Sequence, residues 1–173
     1  MPNRRHFLLS AATGVTALAA AARWRGLSRA AAADDASRSA NGPYEIMHTD
    51  AEWRRLLTPD QYAVLRGGDT ERPYSSPLND EHRAGIFACA GCGLDLYSSR
   101  TKFNSHTGWP SFWAPLPHAV ATREDGSLGM LRTEVHCRRC GGHLGHVFDD
   151  GPPPTGLRYC MNGLAMTFKP GAA

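Results

Sequence analysis

Four of the five cysteines form two pairs with the same spacing. Two residues separate Cys89 from Cys92 and Cys137 from Cys140, and each pair is followed directly by glycine. Such a short spacing lets a tight turn point both sulfurs at one ion, and glycine permits the backbone conformation that turns amides toward the thiolates. The pairs therefore predict one tetrahedral zinc site with four thiolate ligands. Because protein would fill all four positions, we expect the zinc to be structural.

The two cysteine pairs are far apart in the chain. Between Cys92 and Cys137 lie residues 93–136, which is 44 residues and more than a compact zinc ribbon allows. We therefore expect the ion to clamp two hairpins that are distant in sequence. Redox-active dithiols and structural disulfides are two other interpretations of such pairs in an exported protein. Two matched, glycine-followed pairs favour the metal.

The fifth cysteine, Cys160, lies outside this set of four. A lone cysteine in an apolar strand is commonly an inert packing residue. Arg158 and Asn162 lie two residues to either side of Cys160, so in a strand all three side chains share one face. A cation lowers the pKa of a thiol and an amide can hydrogen-bond to it. This neighbourhood predicts a reactive thiolate.

A glycine-rich segment at residues 141–151 carries two histidines and two carboxylates. They are His143, His146, Asp149 and Asp150. Histidine is the side chain best suited to proton transfer near neutral pH, and a carboxylate such as Asp150 could orient or charge one imidazole. Alternatively, both histidines are surface loop residues or additional metal ligands. The segment alone does not separate these interpretations.

Two short helices and a β-rich region should position these groups. The helices are expected at residues 50–57 and 59–66, each opened by a capping box, Thr49 with Glu52 and Thr58 with Gln61. After residue 73, Gly, Pro and Ser are frequent and the apolar runs are short, which predicts a mainly β domain. Strands are expected at 85–88, 94–98, 119–123, 128–136, 146–148, 158–162 and 165–168.

The first 33 residues have the composition of a targeting segment. They hold five arginines, no acidic residue and an apolar stretch at residues 7–22 that is too short to span a bilayer comfortably. Arg4-Arg5 resembles a twin-arginine signal and Ala31-Ala32-Ala33 a cleavage site, although an ordinary Sec signal would look similar. We expect a periplasmic or otherwise exported protein with a signal peptide at 1–33, a disordered lead-in at 34–43 and one domain at 44–170.

Removing that segment changes the sign of the net charge. All 16 acidic residues follow Ala33, whereas only 19 − 5 = 14 of the Lys and Arg residues do, which leaves a charge of −2. A nucleic-acid-binding face would need clustered Lys and Arg in the folded part. The composition therefore argues against nucleic acid as a partner.

Four motifs give residues 50–166 a resemblance to the methionine sulfoxide reductase B family. In chain order they are Cys89-x-x-Cys92, Gly108-Trp109-Pro110-Ser111-Phe112, Gly142-His143-Leu144-Gly145-His146-Val147-Phe148 and Arg158-Tyr159-Cys160-Met161-Asn162. The resemblance implies two small antiparallel sheets, tent- or sandwich-like, with short N-terminal helices. It also implies reduction of the R epimer of methionine sulfoxide, free or in proteins, and hence repair of oxidised proteins.

The resemblance also implies the roles of individual residues. The Cys160 thiolate would attack the sulfoxide sulfur, and because the sulfoxide oxygen leaves only after protonation, an acid must lie nearby. His146 and Asn162 would bind or protonate that oxygen with help from His143. Arg158 and Asp150 would hold this network in place and help to keep Cys160 ionised. The substrate methyl group would lie against the indole face of Trp109, whose alternative role is that of a core tryptophan.

One feature of the family pattern is missing. Many members carry a second, resolving cysteine before the Gly-Trp-Pro motif, where this chain has Thr107, and His106 stands where glycine is usual. The resemblance therefore implies a one-cysteine enzyme. Its Cys160 sulfenic acid would be reduced by an external thiol, such as a thioredoxin-like partner outside the cytoplasm.

Two functions compete with the enzyme. A zinc-clamped binding or chaperone-like module would not need Cys160, His143 or His146. A thiol-disulfide exchange protein would cycle its C-x-x-C pairs without zinc, so metal analysis separates it from the other two.

Overall fold

The structure is a computed structural model of the chain, and it describes residues 44–172. The predicted signal peptide and lead-in, residues 1–33 and 34–43, lie outside the described residues. Within residues 44–172, none of the helices is both long enough and apolar enough to cross a bilayer.

Both helices begin at the predicted capping boxes. Helix α1 spans Asp50–Leu56, and its N-cap Thr49 accepts a hydrogen bond from the Glu52 amide while the Glu52 carboxylate accepts one from the Thr49 amide. Helix α2 spans Pro59–Gly67 and repeats this exchange between its N-cap and the third helical residue. Each capping box satisfies amides that the first helical turn leaves without partners. The predicted ends differ from the observed ones by one residue.

Within residues 44–172, nine strands form two antiparallel sheets. The smaller has the order β2-β1-β9, and the larger has the order β3-β4-β8-β7-β6-β5. The strands are β1 Gly85–Cys89, β2 Asp95–Ser98, β3 Lys102–Phe103, β4 Ser111–Phe112, β5 Val120–Asp125, β6 Arg132–Cys137, β7 His143–Phe148, β8 Arg158–Met161 and β9 Met166–Pro170. The predicted fold class, mainly β with two antiparallel sheets and short N-terminal helices, is confirmed.

Two strands begin several residues away from their predicted starts, and two short strands were not predicted. Strand β6 begins at Arg132 rather than residue 128, because Ser127–Gly129 form a 3₁₀ turn. Strand β7 begins at His143 rather than at His146, so both histidines lie in one strand. The two-residue strands β3 and β4 were not predicted, since two residues show no alternation of apolar and polar side chains.

Aromatic side chains join the two sheets. Phe87 and Tyr97 of the smaller sheet and Phe112 of the larger one are all fully buried. The Phe112 ring stacks on Tyr97 with centroids 4.4 Å apart and meets the edge of Phe87 at 4.9 Å. Because Phe112 belongs to β4, this packing fixes the short strand beside β8, which carries Cys160.

Candidate active site and metal centre

The four paired cysteines meet between the two sheets. Cys89 and Cys92 lie in the β1–β2 hairpin, and Cys137 and Cys140 lie in the β6–β7 hairpin. All four sulfurs are within 4.8 Å of one another, and three of the residues are buried. The glycines that follow the pairs, Gly93 and Gly141, have left-handed φ values of 71° and 70°, the conformation that the motif predicted.

The spacing of the sulfurs fits a four-coordinate metal ion. Thiolates about 2.3 Å from a tetrahedral zinc ion lie about 3.8 Å from one another. The Cys89 and Cys140 sulfurs are 3.7 Å apart, and those of Cys92 and Cys137 are 3.5 Å apart. All four thiols are free of disulfide bonds. The cluster could therefore hold a metal ion, and an ion there would tie the two sheets together.

Cys160 lies in a row of side chains that crosses the larger sheet. Its neighbour on β4 is Ser111, its neighbour on β7 is His146, and beyond His146 follow Glu134 on β6 and Arg123 on β5. Residues opposite each other in an antiparallel pair project from the same face of the sheet. The thiol is thus bracketed by a hydroxyl and an imidazole.

The pKa of the Cys160 thiol differs in direction from the sequence-based expectation. Burial raises it above its ordinary value, and hydrogen bonding by Thr107 and Ser111 and the charge of Arg158 only partly oppose that rise. The Arg158 guanidinium donates two hydrogen bonds of 2.8 Å to the Asp150 carboxylate, which partly neutralises its charge. Arg158 does lower the pKa of the thiol, as expected, but burial has the larger effect.

Each histidine of the candidate site pairs with a carboxylate, and neither carboxylate is the one suggested by the sequence. His146 Nε2 is 2.7 Å from Asp125 Oδ2, and His143 Nδ1 is 2.7 Å from Glu134 Oε1. Asp150 instead binds Arg158, so its suggested role in orienting an imidazole was wrong. The two histidines are neither surface loop residues nor additional metal ligands, because both are buried in β7 and the described metal cluster contains only the four cysteines.

The carboxylate partners determine which ring nitrogen carries hydrogen. Hydrogen bonds from Ser127 and His146 hold the pKa of Asp125 well below its usual range. The pKa of Glu134 is also lowered, since Arg123 and His143 outweigh burial. An ionised carboxylate only accepts hydrogen bonds, so His146 donates from Nε2 and His143 from Nδ1. The other nitrogens remain for a substrate, and His143 Nε2 is buried without a partner among the described residues.

Asn162 lies next to the active-site row, and main-chain groups bind its amide. The Asn162 Oδ1 atom accepts a hydrogen bond from the Glu71 amide, and Nδ2 donates to the Leu144 carbonyl oxygen at 3.2 Å. One Nδ2 hydrogen is left for a substrate oxygen. The oxygen-binding role of Asn162 stays a prediction, and its position is fixed by contacts within the fold.

The Trp109 indole is half-buried, and a hydrogen bond at the edge of the ring fixes its position. Its Nε1 donates to the Glu71 carbonyl oxygen at 3.1 Å, which leaves the ring face free of that hydrogen bond. Trp53, a tryptophan of the core, is only 4% exposed, so the alternative interpretation of Trp109 as a core residue fits the structure less well. Thr107 and His106 precede it, and His106 has a left-handed φ of 58°. This accounts for the glycine that the family pattern has at that position.

Glu71 is a buried residue that the sequence analysis missed. Its carboxylate accepts hydrogen bonds from the amides of Gly163 and Leu164 at 2.6 and 3.0 Å, while its own main chain binds Asn162 and Trp109. Glu71 therefore connects the segment after α2 to two candidate site residues.

Asp125 and Glu134 are two further site residues that the sequence did not reveal. Regular counting outward from the Cys137–Gly142 turn would place Glu134 opposite Gly145, and a shift in register at Val135 and His136 brings it opposite His146 instead.

We expect Glu71→Gln to destabilise the domain by about 1–3 kcal/mol at neutral pH, because the Gln amide turns one acceptor into a donor facing a main-chain N–H. Burial raises the pKa of the Glu71 carboxyl, and the two amides only partly oppose this. The stability contributed by protonating Glu71 is therefore fully present below the unfolded-state pKa and is lost as pH rises through the folded-state pKa. Urea unfolding from pH 4 to 8 should show this dependence in the parent chain only. Equal stability curves for the two proteins would contradict the assignment.

Comparisons with known proteins agree with this arrangement. The SelR domain family matches residues 57–170. The chain is 56% identical over 131 residues to the peptide methionine sulfoxide reductase MsrB of Leifsonia xyli subsp. xyli, covering 75% of this chain and 94% of the relative. It is 51% identical over 127 residues to the MsrB of Agrobacterium fabrum, covering 73% and 94%. It is 54% identical over 127 residues to the MsrB of Pseudomonas putida strain W619, covering 73% and 96%.

Proposed function

This chain belongs to the MsrB family of methionine sulfoxide reductases, and from that premise we propose that it reduces the R epimer of methionine sulfoxide by way of Cys160. It is an oxidoreductase that acts on methionine sulfoxide. The observation that carries the assignment of Cys160 is its place in the larger sheet, between Ser111 and His146. A nucleophile beside a carboxylate-oriented base is the arrangement that covalent catalysis requires.

The proposed chemistry transfers the sulfoxide oxygen to Cys160. The thiolate attacks the sulfoxide sulfur and forms an S–S bond, and the oxygen is protonated. That oxygen then leaves the methionine sulfur and bonds to the Cys160 sulfur, which breaks the S–S bond and releases methionine, with Cys160 left as a sulfenic acid. The methionine sulfur is reduced by two electrons and the cysteine sulfur is oxidised by two. One proton is taken up for each thiolate consumed.

His146 is placed to donate that proton to the substrate oxygen. Burial lowers the pKa of His146, whereas the Asp125 carboxylate opposes the shift and favours the imidazolium. His146 must bind a proton at Nδ1 before it can deliver one to the substrate oxygen, since Nε2 is occupied by Asp125. His143 and Asn162 would bind the same oxygen, through Nε2 and the remaining Nδ2 hydrogen.

Trp109 and Arg158 would position the reacting groups. The half-buried indole offers an apolar face to the substrate methyl group without reading the sequence around the methionine, which suits a repair enzyme. Arg158 extends over the Phe148 ring at 4.4 Å while it binds Asp150. Its charge lowers the pKa of the Cys160 thiol and thus supports the thiolate.

The sulfenic acid requires an external thiol. The other four cysteines of the chain are in the metal cluster, and Thr107 occupies the place of a resolving cysteine. A thiol of a thioredoxin-like partner would displace water from the sulfenic acid to form a mixed disulfide, and the partner's second thiol would release Cys160.

Cys89, Cys92, Cys137 and Cys140 would hold one zinc ion. Four thiolates at tetrahedral spacing, three of them buried, favour zinc over metals that prefer oxygen ligands. A closed four-thiolate site supplies no open coordination position, so the ion would act in folding alone. The thiol-disulfide exchange alternative would leave these thiols without metal.

Export by the twin-arginine route is part of the proposal. It is supported by the order of the first 33 residues, a basic start with Arg4-Arg5, an apolar middle and a small-residue end. Transport in a folded, metal-loaded state would protect the cluster thiols from oxidation. The substrates would then be oxidised proteins outside the cytoplasm.

Turnover of resolved epimers tests the proposed function. The zinc-loaded chain 34–173 should reduce R but not S methionine sulfoxide, free and within a peptide, with dithiothreitol as the reductant. Reduction of the S form, or of neither form, would contradict the proposal. The zinc-clamped binding module, which the family membership does not favour, predicts no reduction at all.

A further inference from the structure

Three hydroxyl groups form a continuous chain that ends at the Cys160 sulfur. Thr107 Oγ1 is 3.8 Å from Cys160 Sγ and 2.8 Å from Ser105 Oγ. Ser105 Oγ is 2.7 Å from Ser111 Oγ, and Ser111 Oγ is 3.1 Å from the Trp109 carbonyl oxygen. The Ser111 side chain is fully buried, so the far end of the chain is closed to solvent. No motif in the sequence points to a role for any of these hydroxyls.

Counting hydrogens shows that the chain is complete when Cys160 is a thiol. The four contacts need four donors, and one thiol and three hydroxyl hydrogens are present. Only one direction satisfies these four contacts, and in it the Ser111 hydroxyl, which also lies near the Cys160 sulfur, points to the Trp109 carbonyl oxygen. Cys160 donates to Thr107, Thr107 to Ser105, Ser105 to Ser111, and Ser111 to the Trp109 carbonyl oxygen.

Ionisation of Cys160 must reverse this direction. A thiolate only accepts hydrogen bonds, so Thr107 turns its hydrogen to the sulfur and Ser105 donates to Thr107. Ser111 then donates to Ser105 or directly to the thiolate. Three hydroxyl rotations turn Thr107 from an acceptor of a hydrogen bond from Cys160 into a donor to it, and the main chain does not move. Hydrogen bonds to an ion are stronger than those between neutral groups, which offsets the loss of the Trp109 contact.

We propose that Thr107, Ser105 and Ser111 act as a reversible hydrogen-bond relay for Cys160, with Thr107 as a catalytic residue that donates to the attacking thiolate. When Cys160 is a thiol or a sulfenic acid, Thr107 accepts a hydrogen bond from it. When Cys160 is a thiolate, Thr107 donates a hydrogen bond to the sulfur. The proposal rests on the proposed function, because it takes Cys160 to be the nucleophile.

The other groups that face Cys160 make a neutral donor necessary. Arg158, on the same strand, is bound by Asp150, and His146, on β7, is bound by Asp125. Ser111 on β4 and Thr107 on the preceding loop carry no charge. The guanidinium that faces the sulfur is therefore partly neutralised, and the imidazole contributes full charge only when it is protonated. Thr107 stabilises the buried anion at every pH.

We expect Thr107→Val to slow alkylation of Cys160 by iodoacetamide about tenfold at pH 7, because loss of the hydroxyl lowers the thiolate fraction. The difference should vanish at a pH at which Cys160 is fully ionised in both proteins. Val matches the size of Thr, and Thr107→Ser, which keeps the hydroxyl, should alkylate close to the parent rate. Mass spectrometry of the Cys160 peptide, with the chain zinc-loaded so that its other cysteines are protected, gives the rate across pH.

A second variant separates the relay from a single donor. Ser105→Ala removes the middle link and leaves Thr107 in place, so it should slow alkylation in the same direction by about threefold. Parent-like rates for Thr107→Val at all pH values would overturn the proposal. So would failure of Thr107→Ser to restore the rate, since packing would then be the cause. Parent-like alkylation of Ser105→Ala would overturn the relay.

Alkylation needs no turnover, so this test can fail independently of the proposed function. Unchanged reductase activity in Cys160→Ser would refute the nucleophile assignment and leave the alkylation rates as measured. Unchanged alkylation in Thr107→Val would refute the relay and leave the nucleophile assignment intact.

Discussion

Cys160→Ser is expected to lose about a thousandfold or more of the reductase activity while keeping the fold and the metal. A serine hydroxyl is not ionised near neutral pH and is a far weaker nucleophile toward sulfur, and removing an enzyme's nucleophile costs this much or more. Cys160 lies in β8, between β4 and β7, and it does not belong to the metal cluster. The exchange of sulfur for oxygen therefore removes chemistry rather than structure. Steady-state reduction of R methionine sulfoxide measures the loss.

Thr107→Ser is a suitable control for that variant. It removes one methyl group beside Cys160 and keeps the hydroxyl, so it should keep most of the activity. A Cys160→Ser protein that reduced sulfoxide within tenfold of the parent rate, with normal zinc content, would show that another residue attacks the substrate.

Cys137→Ser is expected to release the metal and unfold the domain. Structural zinc contributes about 10–16 kcal/mol of binding free energy, whereas a domain of this size is stable by only about 5–15 kcal/mol. Cys137 is fully buried at the end of β6, in the hairpin that faces the β1–β2 hairpin across the cluster. Loss of one ligand would leave three thiolates without a closed site, two of them buried, and would remove the metal link between the two sheets. Metal analysis and circular dichroism of the purified chain measure both effects.

Cys160→Ser is the matched control, because it also removes a thiol and should retain one metal ion per chain. A Cys137→Ser protein that was folded, active and loaded with metal would contradict the structural role of the cluster.

The features predicted well from the sequence depend on neighbours in the chain. The capping boxes at Thr49 and Thr58 involve residues three apart, so their geometry follows from local backbone rules. The C-x-x-C turns are equally local, and their left-handed glycines were found as expected. The metal cluster needed one further inference, that both turns share an ion, and the matched spacing supported it.

The carboxylate partners of the histidines depend on strand register, and the sequence did not reveal them. Asp150 is four residues from His146 in the chain, yet Asp125 reaches that imidazole from the end of β5, two strands away. An irregularity in the pairing of β6 with β7 at Val135 and His136 changes the alternation of side chains there. Simple counting along a strand therefore cannot predict the partner of each histidine.

The pKa of Cys160 shows a second limit of sequence reasoning. Arg158, two residues away, predicted a lowered pKa, and its charge does act in that direction. Burial acts the other way and is larger, because the sulfur lies between two strands and under the loop that carries Thr107. Desolvation is a property of the packed sheet, and no motif records it.

The central claim is that Cys160 itself takes the sulfoxide oxygen, and a single turnover tests it most directly. The zinc-loaded chain is mixed with an excess of R methionine sulfoxide without any reductant, and the products are analysed by mass spectrometry after trapping with dimedone. The account predicts one methionine formed per chain and a dimedone adduct on Cys160 alone, with the four cluster cysteines unmodified. Methionine formed without modification of Cys160, or with a disulfide among Cys89, Cys92, Cys137 and Cys140, would contradict it.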